Sequence, residues 1–197
     1  MGFSFDPGFK GSLILSAVPI VCFLVIFIVK RRYFFKYAFM ALFGAYLVFT
    51  LCYTVSPIYF GASEMRESFA SNGWKLTDCI KLIPFSDGIS KDDFLNVLMA
   101  VPFGFLLPLV KKRVNFITAL IAGLAFSLTI ELLQLMFAAL QGFTFRYFDM
   151  ADIICNLLGA AIGWLIVAGI IRLVQKSNND AEKEGSLLAY LRNRQIK

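Results

Sequence analysis

Long apolar stretches separated by short charged ones dominate the chain. An α-helix needs about 20 mostly apolar residues to cross the hydrocarbon core of a bilayer. Five stretches meet this requirement, at approximately residues 11–29, 37–56, 93–110, 114–140 and 148–174. The pattern predicts an all-α integral membrane protein, a bundle of five transmembrane helices that forms a single domain over residues 1–174.

Basic residues flank these stretches and give the expected orientation. They collect at 30–36, at 111–113 and in the tail at 175–197. Because Lys and Arg are enriched in cytoplasmic loops, these three segments are expected inside. The N-terminus is then outside and the C-terminus inside, with the connection at 57–92 and the joint at 141–147 on the outer side. Two smaller expectations are a strand or interfacial segment over 74–85 and a surface helix over 182–194.

Composition agrees with a membrane protein and narrows the chemistry. The chain is 59% hydrophobic and 16% charged, and its mean hydropathy is +0.74. The net charge of +6 comes from residues that flank apolar runs, so no nucleic-acid partner is expected. The absence of histidine excludes histidine catalysis and histidine-ligated metals. The four cysteines show neither disulfide nor metal-site spacing, and no cofactor or metal is expected.

The last predicted span carries polar and small residues on one face. Asp149, Asp152 and Asn156 are spaced three and four residues apart, so a helix places them together. Gly159 and Gly163 continue the same face. Their GxxxG spacing favours the close approach of another helix.

The third and fourth predicted spans show similar stripes. Polar residues facing lipid are costly, so the three stripes are expected to face one another in the outer half of the membrane. In the third span, Pro102 is expected to introduce a kink, and Gly104 continues the small-residue stripe. The expected result is a polar pocket that is open to the outside and roofed by 57–92. Its residues are Asp93, Asn96, Ser127, Glu131, Gln134, Arg146, Asp149, Asp152 and Asn156.

Charge within this set is unbalanced. Glu131, Asp149 and Asp152 are accompanied by one nearby cation, Arg146. Either one carboxyl is protonated or a cationic ligand binds there. If the protein is an enzyme, Glu131 and Asp152 are the candidates for acid–base catalysis. An alternative for the amides is that they only join helices. Cys155 is expected to point away from the acidic face.

Four segments resemble the VanZ-like family of bacterial membrane proteins. They are LIPF at 82–85, DDFLNVLMAVPFGFLLP at 92–108, TIELLQ at 129–134 and RYFDMADIICNLLGAAIG at 146–163. The resemblance implies a multi-pass protein of the cytoplasmic membrane that acts in the cell envelope. It also implies resistance to glycopeptide antibiotics, notably teicoplanin, in Gram-positive bacteria, and it leaves a housekeeping role in the envelope open. The matching positions are Asn96, Pro102, Glu131, Gln134, Arg146, Asp149, Asp152, Asn156 and Gly159.

Three functions are compatible with these features. The favoured one is a binding protein whose outward pocket holds an envelope lipid, a lipid-linked cell-wall precursor or the acyl tail of a lipoglycopeptide antibiotic. The second is an intramembrane enzyme that modifies a lipid or wall precursor. The third is a small transport or flippase component, although the chain lacks the internal repeat that many transporters show.

Overall fold

Helices account for nearly all the regular structure. The computed structural model describes residues 3–6, 8–29, 34–177 and 186–196. In chain order the elements are β1 (Phe3–Phe5), α1 (Gly8–Leu15), α2 (Ala17–Val29), α3 (Phe34–Val55), β2 (Ile58–Phe60), α4 (Ser63–Ser71), a 3₁₀ helix (Leu76–Cys79), β3 (Ile80–Lys81), α5 (Lys91–Val110), α6 (Phe116–Gln141), β4 (Phe148–Asp149), α7 (Met150–Lys176) and α8 (Leu187–Arg192).

Within the residues that the structure describes, four helices are long and apolar enough to cross a membrane. They are α3, α5, α6 and α7, with 22, 20, 26 and 27 residues. They coincide with the expected spans at 37–56, 93–110, 114–140 and 148–174. The structure therefore confirms a helical multi-pass architecture with four candidate spans.

The first expected span is divided in the structure. Instead of one helix over 11–29, α1 and α2 meet at Ser16. Pro19 lacks an N–H and cannot donate to the carbonyl of Leu15, which weakens the helix at this point. The Ser16 hydroxyl donates instead to the Leu13 carbonyl, at 2.7 Å. The basic residues at 30–32 lie outside the described residues.

The closest packing is between α5 and α7. A side chain at Gly159, Gly163 or Gly104 would place its Cβ 2.1, 2.0 or 1.9 Å from a backbone carbonyl oxygen of the facing helix. The two backbones are therefore in direct contact along these small residues. Gly159 faces Val97 and Gly163 faces Val101, so the two helices run in the same direction. The helix α5 continues through Pro102 without a break.

The connection between α3 and α5 packs onto the end of α6. Phe143, which is 1% exposed, lies among aromatic rings of Tyr59, Phe69 and Phe145. In place of a strand over 74–85, the structure has the 3₁₀ helix, the two-residue β3 and a turn. Residues 80 and 81 of β3 pair in parallel with β4. The connection is thus a folded unit held against the bundle.

The tail packs against the opposite end of the bundle. The Tyr190 hydroxyl donates to the Leu109 carbonyl at 2.5 Å, and Arg192 Nε donates to the Val174 carbonyl at 3.3 Å. These bonds satisfy carbonyls in the last turns of α5 and α7, which have no partners within their helices. The tail helix α8 is shorter than the surface helix expected over 182–194. Residues 182–185 of that expected helix lie outside the described residues.

Candidate functional site

Polar side chains join α5 to α7 near the beginning of both helices. The Asn96 amide donates to Asp152 Oδ1 at 2.5 Å. Asp93 is buried and its carboxylate accepts from the Ser90 N–H at 2.6 Å, which caps the beginning of α5. The Cys155 thiol lies 4.0 Å from Asp93 Oδ1. The expectation that Cys155 points away from the acidic face is therefore wrong, because α5 packs over it.

Glu131 joins α6 to the beginning of α7. It is 1% exposed, and its Oε2 accepts from the Asp149 N–H at 2.9 Å. The Asp149 carboxylate in turn accepts from the Ala151 N–H at 2.8 Å and caps α7. Negative charge is favoured at this position because the N-terminal end of a helix carries a partial positive charge.

Two of the expected pocket residues pair deeper between α6 and α7. The Asn156 amide donates to the Ser127 hydroxyl at 3.0 Å. Asn156 is 2% exposed, and its Oδ1 atom accepts no hydrogen bond. A buried amide oxygen without a donor is uncommon in folded proteins.

Gln134 and Arg146 lie apart from the acidic residues. The Gln134 amide donates to the Thr54 carbonyl on α3 at 2.9 Å. Arg146 is exposed, and its guanidinium donates to the Ser56 carbonyl at 3.3 Å. The expectation that Arg146 balances the carboxylates is wrong, because its side chain is bound to the end of α3.

A cation that the sequence interpretation missed lies on the strand that pairs with Asp149. Lys81 stands opposite Asp149 in the register of β3 and β4. Its ammonium group pairs with Asp87 at 3.3 Å and lies 5.1 Å from the centre of the Tyr147 ring. The Lys81–Asp87 pair is the one ion pair found within the described part of the chain. Only the pairing of β3 with β4, which are distant in the sequence, shows that Lys81 is a neighbour of Asp149.

Four carboxylates, Asp93, Glu131, Asp149 and Asp152, form what we term the carboxylate cluster. Glu131 is linked to Asp149 by a hydrogen bond, and Asn96 and Cys155 connect α5 to α7 at Asp152 and Asp93. The partners that the structure gives these groups are backbone N–H groups, the Asn96 amide and the Cys155 thiol. In residues 3–6, 8–29, 34–177 and 186–196, no three acidic or cysteine side chains are placed to hold a metal ion together.

The larger of two clefts does not include the carboxylate cluster. It has a volume of about 430 Å³ and lies between the beginning of the connection from α3 to α5 and the last turn of α6. Phe137 and Leu140 line it with apolar surface, and Arg66 and Glu67 provide charge. A second cleft of about 10 Å³ is lined by Gln134 and Arg146, among others. Neither of these two clefts is lined by Glu131 or Asp152.

The fold and this cluster together define a helical multi-pass membrane protein with acidic side chains between its spans. A model of the VanZ/LLP1 family matches residues 43–172, from within α3 to near the end of α7. The chain belongs to the VanZ/LLP1 family. No curated protein and no solved structure matches it.

Proposed function

We propose that this chain is a cell-envelope protein of the bacterial cytoplasmic membrane that contributes to resistance to glycopeptide antibiotics such as teicoplanin. It would do so by binding a membrane-associated ligand at the end of the bundle where α5 and α7 begin. Membership of the VanZ/LLP1 family supports the envelope role. The ligand classes are an envelope lipid, a lipid-linked wall precursor and the acyl tail of the antibiotic.

The carboxylate cluster carries this proposal. Its four acidic groups lie at or near the beginning of α7 and α5, and no cationic side chain of the described chain forms an ion pair with them. Glu131 is buried and Asp152 is half-buried, and a carboxylate withdrawn from water without a counter-charge is costly. An ammonium group on a ligand, such as a lipid headgroup or a peptide amine, would balance this charge.

The larger cleft supports an amphiphilic ligand. It opens at the same end of the bundle, because only residues 142–147 separate α6 from β4, which leads directly into α7. Ligand sites in proteins commonly occupy about 300–1,000 Å³ and combine apolar walls with a few polar groups. The cleft of about 430 Å³, with Phe137 and Leu140 beside Arg66, fits this description.

We further propose that α1 and α2 together make a fifth crossing, with the N-terminus outside and the C-terminus inside. The antiparallel pairing of β1 with β2 brings residue 3 beside residue 60, just beyond the end of α3. The basic residues at 111–113 lie at the opposite end, as expected for the cytoplasmic side. A membrane-impermeant maleimide should label Ser71→Cys in intact cells but Asn193→Cys only after permeabilisation. The reverse labelling would refute this orientation.

Teicoplanin susceptibility of a sensitive Gram-positive host tests the function. The host would express wild type, Glu131→Gln, Asp152→Asn or the control Glu64→Gln, an exposed acid on α4, with membrane levels matched by immunoblot. We expect wild type and the control to protect and the two cluster variants to fail. Equal protection by all four would show that the cluster only joins helices. No protection by wild type would refute the resistance role in that host.

A further inference from the structure

The segment between β3 and α5, residues 82–89, is a firmly built turn. The Gly88 N–H donates to the Phe85 carbonyl at 3.0 Å. Phe85 and Gly88 have positive φ angles of 56° and 86°. The Lys81–Asp87 ion pair closes the turn at 3.3 Å. Pairing of β3 with β4 fixes one side, and the capping of α5 by Ser90 fixes the other.

This turn nevertheless presents apolar side chains outward. Ile83, Ile89 and Leu82 are 74, 73 and 64% exposed. Three exposed aliphatic side chains on a fixed turn form an apolar patch of the kind that usually meets a partner or a membrane. The charges of Lys81 and Asp87 largely cancel each other, which reduces the cost of bringing this turn into a less polar environment.

Beyond the exposed Lys91 and Asp92, further exposed apolar side chains lie on α5. Phe94 and Leu98, four residues apart and therefore on one side of the helix, are 69 and 67% exposed. Since α5 is long and apolar enough to span a membrane, lipid would contact this exposed side. The turn immediately precedes it, so the apolar side chains of the turn extend the lipid-facing surface of α5.

We propose that the 82–89 turn is inserted into the interfacial region of the bilayer, with Leu82, Ile83 and Ile89 among the lipid acyl chains. The occupant of this surface is lipid rather than a second protein. Such an anchor would fix the depth of the beginning of α5. It would hold the carboxylate cluster, which includes Asp93, close to the headgroups. This inference depends on α5 as a membrane span and not on the proposed function.

Tryptophan quenching in lipid nanodiscs tests the anchor. Ile83→Trp would be compared with Ser71→Trp, an exposed position on α4. The fluorescence of the parent protein, which has Trp74 and Trp164, is subtracted. Lipids brominated on the acyl chains near the headgroup should remove most of the added fluorescence of Ile83→Trp and little of that of Ser71→Trp. Aqueous acrylamide should give the opposite order.

Two results would overturn the proposal. If acrylamide quenches Ile83→Trp as strongly as Ser71→Trp and brominated lipid quenches neither, the turn lies in water. If neither reagent quenches Ile83→Trp, protein covers the turn. Both replaced side chains are exposed, so no packing is lost. Ile89→Trp, on the other side of the turn, repeats the test should the first variant express poorly.

Discussion

The contact between α5 and α7 gives a sharp test of the packing. In Gly163→Ala, the added Cβ would lie 2.0 Å from the Val101 carbonyl oxygen and 2.7 Å from the Phe105 nitrogen, where ordinary contacts are 3.4–4 Å. The neighbouring atoms are backbone, so they cannot rotate away. The helices would have to separate by more than 1 Å at this point, and overpacking of this kind costs about 1–3 kcal/mol.

The same helix provides a matched control. A Cβ added at Gly169 would have no neighbouring atom within 4 Å, so Gly169→Ala adds the same methyl group without a clash. Both variants gain up to about 1 kcal/mol of helix propensity. Only in Gly163→Ala does the added methyl group clash with the backbone of α5. Thermal unfolding in one detergent, followed by tryptophan fluorescence, should show a lower Tm for Gly163→Ala. The expected difference is about 2–4 °C per kcal/mol for a chain of this size.

Equal melting of the two alanine variants would refute this packing. It would mean that α5 and α7 do not touch along Gly163. A lower Tm for Gly169→Ala than for Gly163→Ala would also refute it, because the helix contact would then lie on the face of α7 that carries Gly169.

Three further predictions concern the parts outside the helix contact. Arg66→Ala removes hydrogen bonds of 2.8 and 2.9 Å to the last two carbonyls of α6, so it should lower the local stability of this helix end by about 1 kcal/mol. Amide exchange at residues 138–142 should then be faster, and an unchanged exchange rate would contradict this. Burial raises the pKa of the Cys79 thiol, so at pH 8 a maleimide should label Cys79 far more slowly than the exposed thiol of Ser71→Cys. The labelling rate of Cys79 should rise as the pH increases. Equal rates for the two thiols would show that the connection between α3 and α5 does not bury Cys79. Tyr190→Phe removes the bond to the Leu109 carbonyl but keeps the ring, so proteolysis of the tail should be faster, and an unchanged rate would refute docking by this hydroxyl.

The sequence was sufficient for what depends on helical periodicity. A three- and four-residue spacing placed Asp152 and Gly159 on one face of α7, and the structure turns that face toward α5. Likewise, the lengths of the apolar runs were sufficient for four helices. Local chemistry also contained a signal for the division between α1 and α2, because Pro19 interrupts the hydrogen bonds of a continuous helix.

The neighbours of the loop residues could not be predicted in this way. Arg146 binds a carbonyl 90 residues away, and Gln134 binds one 80 residues away. Such pairs depend on how the connection between α3 and α5 folds over the bundle. Proximity along the chain wrongly suggested that Arg146 serves the acidic residues that follow it, and it did not suggest Lys81 as the neighbour of Asp149.

The geometry divides the carboxylate cluster into two kinds of residue. Asp93 and Asp149 cap α5 and α7, so a structural role accounts for their charge, which the partial positive charge at each helix N-terminus stabilises. Glu131 and Asp152 are different, because neither caps its own helix. Glu131 on α6 accepts from the N–H of Asp149, the cap of α7, and Asp152 on α7 accepts from the Asn96 amide on α5. Helix capping explains the first pair without any ligand. The second pair is where a functional role has to be sought, and for this reason the susceptibility test replaces Glu131 and Asp152 rather than the caps.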